Sequence, residues 1–287
     1  MSGTGPIAIV TGASRGAGRG IATALGRHGC TVYVTGRSEK AGDASVAGTI
    51  YATADEVTAA GGKGVAVRVD HADDAQVQAL FDRVRAEHGR LDILVNNACA
   101  IHDQLTAPGH FWQKPLAIGD MIDVGVRSGF VASWHAAPMM VEQGKGLIVF
   151  TSAPGSVHYV FGPAYGAHKA GVDKMAADMA VDLRESNVAA LSIWMGSLAT
   201  ERLLAMIADD PAKYGHLAEA LETPEFTGHI VWALFNDPDL MALSGQTVIG
   251  ADMGRRYGVT DRGGRFPPSV RETHGIVPRV PYPHVIR

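Results

Sequence analysis

The sequence has few of the residues that form metal centres, disulfide frameworks or polyanion-binding surfaces. Its 287 residues include two cysteines, Cys30 and Cys99, and neither has a neighbourhood with metal-ligand spacing. We therefore expect no metal site and no disulfide framework, which is typical of the reducing cytoplasm. The net charge is −4 at pH 7 and the basic residues are scattered, so the composition argues against a nucleic acid partner.

Long apolar runs are also missing. No segment approaches the ~20 consecutive apolar residues of a transmembrane helix. The opening MSGTGPIAIV has no basic stretch followed by a long apolar one. We therefore expect no membrane partner, no signal peptide and a soluble cytoplasmic protein.

Short β-branched runs alternate with longer amphipathic segments along the chain. The clearest amphipathic segment is DDAQVQALFDRVRAEHG, residues 73–89. It has the end signals of a helix, with Asp73 or Asp74 as the candidate N-cap and Gly89 as the candidate stop. This alternation predicts an α/β fold: a Rossmann-type, doubly wound parallel sheet of about seven strands with helices on both faces, in a single domain. The predicted strands are 6–10, 31–35, 64–69, 91–95, 146–150, 190–194 and 246–250.

We predict that residues 1–257 form this domain and that residues 258–287 form an irregular C-terminal tail. The tail is rich in glycine, proline and arginine. A segment of this kind is ordered only by packing on the body or on a neighbour.

A glycine-rich stretch, TGASRGAGRG, lies between the first predicted strand and the first predicted helix. Its glycines Gly12, Gly16 and Gly18 would permit a tight turn, close approach of a pyrophosphate and close helix packing. An ordinary glycine turn is the alternative, but the strand-to-helix position favours a dinucleotide site. The other residues of this predicted cofactor-binding loop are Ser14, Arg15 and Ala17.

The end of the second strand predicts which dinucleotide binds. An NAD site usually has an acidic residue there to hold the ribose 2′-hydroxyl, whereas this chain has Gly36 followed by Arg37. Arg37 and Arg15 would attract a 2′-phosphate, unless both are plain surface residues. We therefore expect NADPH or NADP+ as the cofactor rather than NAD.

Polar residues follow the third and fourth strands, at the sheet edge where ligands bind in open α/β folds. Asp70 ends the third strand, and Asn96, Asn97 and Ala98 end the fourth. We assign Asp70, Asn97 and Ala98 to cofactor binding. The alternative for the asparagines is a simple turn.

Tyr165 and Lys169 lie one turn apart on a predicted helix. A free tyrosine, with a pKa of about 10, is a poor acid–base group at neutral pH, and a neighbouring ammonium favours its phenolate form. Such a pair also occurs by chance in many helices. Ser152, thirteen residues before Tyr165 at the end of the fifth strand, would add a hydroxyl that can hold a carbonyl oxygen beside the phenol.

The stretches TGASRGAG, NNA and YGAHK, with Ser152 before the last of them, resemble the short-chain dehydrogenase/reductase superfamily over about residues 5–257. Finer motifs such as FWQKP, DVGVRSG and APGSVHYVF are similar to its dehydrogenase/reductase SDR family member 1-like branch. The resemblance implies direct hydride transfer between a nicotinamide and a carbonyl or alcohol carbon. It implies that Tyr165 is the acid–base residue and that Lys169 lowers its pKa and holds the nicotinamide ribose. Ser152 would position the substrate oxygen, and Thr200 would contact the carboxamide.

Three positions depart from the pattern of these relatives. Cys99 replaces a glycine, and Met195 replaces the proline usual before Gly196. Gly125 stands where relatives have a helical asparagine whose carbonyl holds a water linked to the lysine. Glycine keeps a carbonyl and weakens a helix locally, so we hypothesise that Gly125 preserves this relay through its backbone.

Two aromatic segments leave strand ends on the crevice side. One, residues 100–119, carries Phe111 and Trp112, and the other, SVHYVFGPA, carries Tyr159 and Phe161. These aromatics would wall an apolar pocket or merely anchor their loops. The resemblance points to a bulky, apolar carbonyl or alcohol substrate of the steroid-like or xenobiotic kind.

The resemblance implies two further features. Residues 201–222 correspond to a mobile lid over the substrate, and relatives associate as homodimers or homotetramers through the long helices after the fourth and fifth strands. The apolar faces of those helices could equally be core. An alternative function is an NADP(H)-binding sensor or scaffold with weak or lost catalysis, motivated by Gly125 and Cys99. An enoyl reductase or epimerase fits the compact length less well.

Overall fold

The computed structural model describes residues 5–286, and its centre is one seven-stranded sheet. The strands are β1 (Ile7–Val10), β2 (Thr31–Gly36), β3 (Lys63–Arg68), β4 (Ile93–Asn96), β5 (Gly146–Ser152), β6 (Val188–Trp194) and β7 (Thr247–Ile249). All pairings are parallel, in the order β3-β2-β1-β4-β5-β6-β7. The predicted doubly wound sheet is therefore confirmed.

Helices cover both faces of this sheet. They are α1 (Gly16–Arg27), α2 (Ile50–Ala59), α3 (Asp74–His88), α4 (Ser128–Gln143), α5 (Pro163–Leu183), α6 (Glu201–Asp209), α7 (Pro211–Tyr214), α8 (Pro224–Phe235), α9 (Leu240–Leu243), α10 (Gly250–Tyr257) and α11 (Val270–His274). Neighbouring side chains of a strand point to opposite faces. Ala8 and Val10 therefore pack in a core with α1, α2 and α8, while Ile7 and Ile9 pack in a second core with α3, α4 and α5.

Two of the residues predicted to begin and end a helix do so at α3. The Asp73 carboxylate accepts hydrogen bonds from the backbone N–H groups of Ala75 and Gln76, so Asp73 is the N-cap. Gly89 ends the helix in the left-handed region, with φ of 66°. Both ends of this helix are thus determined by local chemistry.

The strand order reverses between β1 and β4, and this reversal positions the site. Helices connect to opposite faces on either side of it, so a crevice opens at the carboxyl ends of these two strands. The segments that leave the first six strands, β1 to β6, contain the predicted site residues.

After Gly258, which ends α10 with φ of 67°, the chain holds the short helix α11 and little other regular structure. Asp261 accepts a hydrogen bond from the backbone N–H of Thr223 at 2.9 Å, which fastens the start of this segment to the body. The division into a domain and a tail stays a prediction. Within residues 5–286, no helix combines the length and apolar character needed to cross a membrane.

Candidate active site

The glycine-rich stretch forms the turn from β1 into α1 at the crevice. Gly12 and Gly16 have φ of 63° and 57°, a region that favours glycine. A Cβ on Gly18 would lie 2.4 Å from the Gly12 carbonyl oxygen and 2.5 Å from Asn97 Nδ2. Arg15, at the N-cap of α1, makes no side-chain capping hydrogen bond. The turn therefore has the close packing and the helix N-terminus that a pyrophosphate site requires.

Residues at the end of β4 brace this turn. Asn97 Nδ2 donates to the carbonyl oxygens of Thr11 and Gly12 at 2.9 and 3.0 Å. The Thr11 hydroxyl accepts from the backbone N–H groups of Asn97 and Ala98 at 2.9 and 3.0 Å. Asn96 instead donates to Ser133 on α4. The structure thus brings Asn97 and Ala98 to the glycine turn, while their direct contact with a cofactor stays a prediction.

A carboxylate that the sequence analysis missed lies at the N-terminus of α1. Glu201 Oε2 accepts from the Gly16 N–H at 2.9 Å, and Glu201 Oε1 lies 3.0 Å from Arg19 Nη1. A negative charge is favourable at a helix N-terminus, so this contact shows that the turn can hold an anion. Thr200, next to it, caps α6 by accepting from the Leu203 N–H. No local motif signals the contact, because it joins residues 185 positions apart.

The two predicted phosphate-binding arginines lie near the end of β2. Arg15 Nη2 donates to the Ser38 hydroxyl at 2.7 Å. Arg37 is 68% exposed, with Nη1 3.9 Å from Asp70 Oδ2. The pKa of Arg15 is lowered mainly by burial and further by nearby positive charges, including Arg37. The structure therefore brings Arg15, Arg37 and Asp70 to one side of the crevice.

β5 and α5 bring Ser152, Tyr165 and Lys169 together. The buried Ser152 hydroxyl donates to the Lys169 carbonyl oxygen at 3.4 Å. Lys169 Nζ donates to the Thr151 carbonyl oxygen at 3.3 Å and lies 5.6 Å from the centre of the Tyr165 ring. The three residues that the sequence separates by up to seventeen positions thus share one buried region.

Burial dominates the electrostatics of these groups. It raises the pKa of Tyr165 above its ordinary value, with Cys99 adding to the effect. It also lowers the pKa of Lys169, against the opposing effects of Cys99 and Asp173. A lowering of the Tyr165 pKa by Lys169 is not seen in this arrangement and stays a prediction.

Gly125 makes room for a buried histidine ring. It belongs to a π-helical turn, Ile122–Arg127, that leads into α4, and its φ is 157°. A Cβ there would lie 2.8 Å from His168 Nε2, and His168 Nδ1 lies 3.6 Å from Cys99 Sγ. Burial lowers the pKa of His168 to about 3, so the ring is neutral. Two of the departures from the family pattern therefore contact the same ring, while a water relay through the Gly125 carbonyl stays a hypothesis.

Of the four aromatics predicted to wall a pocket, Phe161 lies beside Tyr165. The centres of their rings are 5.2 Å apart at an interplanar angle of 76°. The other three, Phe111, Trp112 and Tyr159, are largely exposed. Aliphatic side chains form a small cluster against Tyr165 and Cys99 instead: Leu105, Ile118 and Met121.

The segment 201–222, predicted to be a lid, forms α6, α7 and a 3-10 turn, with the expected break before Pro211. It ends at the buried Glu222, which accepts from the Gly196 N–H at 3.1 Å. Burial raises the pKa of Glu222 to about 7. This carboxyl, another residue that the sequence analysis missed, ties the end of the segment to the chain leaving β6.

The sequence model of the short chain dehydrogenase family matches residues 6–210. The chain belongs to this family. Proteins of the short-chain dehydrogenase family are oxidoreductases with a nicotinamide cofactor, and the predicted superfamily is therefore confirmed.

Individual family members support this assignment. The mouse and human proteins named dehydrogenase/reductase SDR family member 1 are each 40% identical over 272 residues, 91% of this chain and 84% of theirs. A 3-oxoacyl-[acyl-carrier-protein] reductase from Synechocystis sp. is 31% identical over 248 residues, 85% of this chain and 94% of its own. A crystal structure of a short chain dehydrogenase from Mycobacterium thermoresistibile superposes with a TM-score of 0.76 at 26% identity, over 92% of each chain.

Proposed function

We propose that this short-chain dehydrogenase is an NADPH-dependent oxidoreductase acting on the carbonyl or alcohol carbon of a bulky, apolar compound. The observation that carries the proposal is the convergence of Ser152, Tyr165 and Lys169. They lie next to the glycine turn, because the hydroxyl of Thr151, beside Ser152, donates to Asn97 Oδ1 at 3.5 Å, and Asn97 braces the turn. A proton donor and a hydride source in one crevice are the two requirements of carbonyl reduction.

In the direction of reduction, Tyr165 donates its proton to the substrate oxygen. The phenol is protonated at neutral pH even at its ordinary pKa of about 10. Burial raises this pKa further, which makes Tyr165 a weaker acid whose proton transfer depends on stabilisation of the phenolate. Ser152 holds the same oxygen by a hydrogen bond. Lys169, anchored on the Thr151 carbonyl oxygen, stabilises the phenolate that proton transfer leaves behind. When bound, the nicotinamide supplies the hydride.

The preference for NADPH rests on charge. β2 ends at Gly36 without a carboxylate, and Arg37 and Arg15 lie at that end to pair with a 2′-phosphate. The glycine turn would hold the pyrophosphate, and Lys169 the nicotinamide ribose. The remaining proposed cofactor contacts are Ser14, Ala17, Asp70, Asn97, Ala98 and Thr200.

A homodimer or homotetramer in the cytoplasm completes the proposal. α4 carries three exposed apolar side chains, Phe130, Trp134 and Val141. Exposed apolar side chains on one helix are typical of a surface that another subunit covers.

The test is NADPH oxidation with a panel of ketones and aldehydes. We expect turnover that falls on the order of a hundredfold or more in Tyr165→Phe, since general acid catalysis contributes this much, with NADPH binding by fluorescence unchanged. Tight NADPH binding without turnover across the panel would contradict the proposal and favour the sensor.

A further inference from the structure

Phe161 has a backbone conformation that bulky residues avoid. Its φ is 57°, and the Gly162 N–H donates to the Val160 carbonyl oxygen at 2.7 Å, which closes a three-residue turn around it. Such γ-turns with positive φ are rare and strained, and glycine or asparagine would adopt the conformation at lower cost. Strain of this kind persists where the surroundings impose it, often at a functional site. The side chain should therefore explain why phenylalanine stands here.

Lys114 fastens this turn to the segment 100–119. Its Nζ donates to the carbonyl oxygen of Phe161 at 3.4 Å and to that of Leu105 at 2.8 Å. Leu105 is buried in the aliphatic cluster that packs against Tyr165. One ammonium group thus joins the two segments that border the phenol.

The turn holds the Phe161 ring at the edge of the Tyr165 ring, in the edge-to-face arrangement that aromatic pairs prefer. Phe161 remains 44% exposed, so part of its ring surface is open to another group. The backbone of Gly155 packs against the same phenol, with a Cβ position 2.6 Å from Tyr165 Cε1. A carbonyl group that reaches the Tyr165 hydroxyl brings its substituents close to this aromatic pair and to the aliphatic cluster.

We propose that Phe161 is a specificity-determining residue that favours ketones carrying a flat aromatic group next to the carbonyl. Lys114 is the positioning residue that holds Phe161 there. This inference rests on the proposed reductase function and names its substrate class.

Acetophenone and cyclohexyl methyl ketone test the preference, because they have the same carbon skeleton and differ in aromaticity. We expect a higher kcat/KM for acetophenone, and Phe161→Leu should reduce the ratio of the two values by about two- to tenfold, mainly through KM. Lys114→Met should reduce it to a similar degree, and Phe161→Tyr should retain it. Phe266→Leu, which alters a side chain that is 45% exposed, is the matched control and should leave the ratio unchanged. A ratio that Phe161→Leu does not change would overturn the inference.

A second measurement, of melting temperature, tests the backbone strain at Phe161 and requires no enzyme activity. Phe161→Gly should have a higher melting temperature than Phe161→Ala, because glycine tolerates positive φ. At positions without positive φ the alanine variant is usually the more stable of the two, and that order here would contradict strain at Phe161. If the wild type reduces no ketone or aldehyde of the panel in a Tyr165-dependent manner, the proposed function fails. Acetophenone binding to wild type and Phe161→Leu, measured by ligand-observed NMR with NADP+ present, still decides the aromatic preference: equal binding contradicts it.

Discussion

The two sides of the crevice are held together by different kinds of contact. On the cofactor side, Gly18 packs directly against the Gly12 carbonyl, and Asn97 is hydrogen bonded to the same backbone. On the substrate side, the long side chain of Lys114 joins two segments, and one of these contains the strained residue Phe161. The direct packing of Gly18 on the Gly12 backbone leaves no freedom to repack, and the short Asn97 side chain leaves little. The long Lys114 side chain, in contrast, can change its contacts with the substrate. The proposed cofactor side is therefore the more rigid of the two, and the proposed substrate side is the one whose shape can vary.

Of the three substitutions, Gly18→Ala should have the largest effect, on both the stability and the cofactor binding of the cofactor side. The added methyl group would lie 2.4 Å from a backbone oxygen, so we expect a loss of about 3 kcal/mol in the free energy of unfolding and a loss of NADPH binding. Gly119→Ala, in the substrate-side segment, is the control because its Cβ position meets nothing within 4 Å. Urea unfolding and NADPH titration should show a near-normal Gly119→Ala. Equal effects of the two substitutions would remove the contrast between the sides.

Gly125→Ala, where the cofactor and substrate sides meet, should have an intermediate effect on stability. Both the φ of 157° and the 2.8 Å approach to His168 Nε2 oppose a side chain, and we expect a loss of about 2 kcal/mol in the free energy of unfolding. His168→Ala in the same chain should recover part of this loss, which a double-mutant cycle measures. An unchanged stability, activity and pH profile in Gly125→Ala would leave backbone freedom at this position unsupported.

Arg37→Asp should have the smallest effect of the three. In the proposed complex, the exposed Arg37 guanidinium would pair with the 2′-phosphate of NADPH in contact with solvent. We therefore expect the KM for NADPH to rise about tenfold, with that for NADH much less affected. Arg184→Ala, an exposed arginine at the end of α5, should change neither KM. A wild type that prefers NADH would contradict the assignment of this side to a 2′-phosphate.

Much of the fold and part of the site follow from local patterns. The central strands are apolar runs buried on both faces, whereas the edge strand β3 is only partly buried. Asp73 and Gly89 determine the ends of α3 by capping alone. The glycine turn lies where the pattern places it, and Tyr165 and Lys169 share one helix face because of helical periodicity. The roles of these residues stay predictions, since geometry brings them together without showing a reaction.

Contacts between distant segments escaped prediction because no periodicity encodes them. The Glu201 carboxylate at the N-terminus of α1 and the His168 ring over Gly125 both depend on how α6 and α5 pack against the rest of the folded chain. Three of the four aromatic residues expected in the pocket are largely exposed, and the aliphatic cluster lies beside Tyr165 instead.

The sequence by itself therefore determined the order of strands and helices, the family and the position of the glycine turn. These depend on short-range sterics, capping and the alternation of apolar residues. Only the tertiary structure decided what surrounds Tyr165: a pKa raised by burial, a neutral histidine beside Lys169, and the Phe161 ring in a strained turn held by Lys114. These properties depend on solvent exclusion and on contacts between segments far apart in sequence, which exist only in the folded chain.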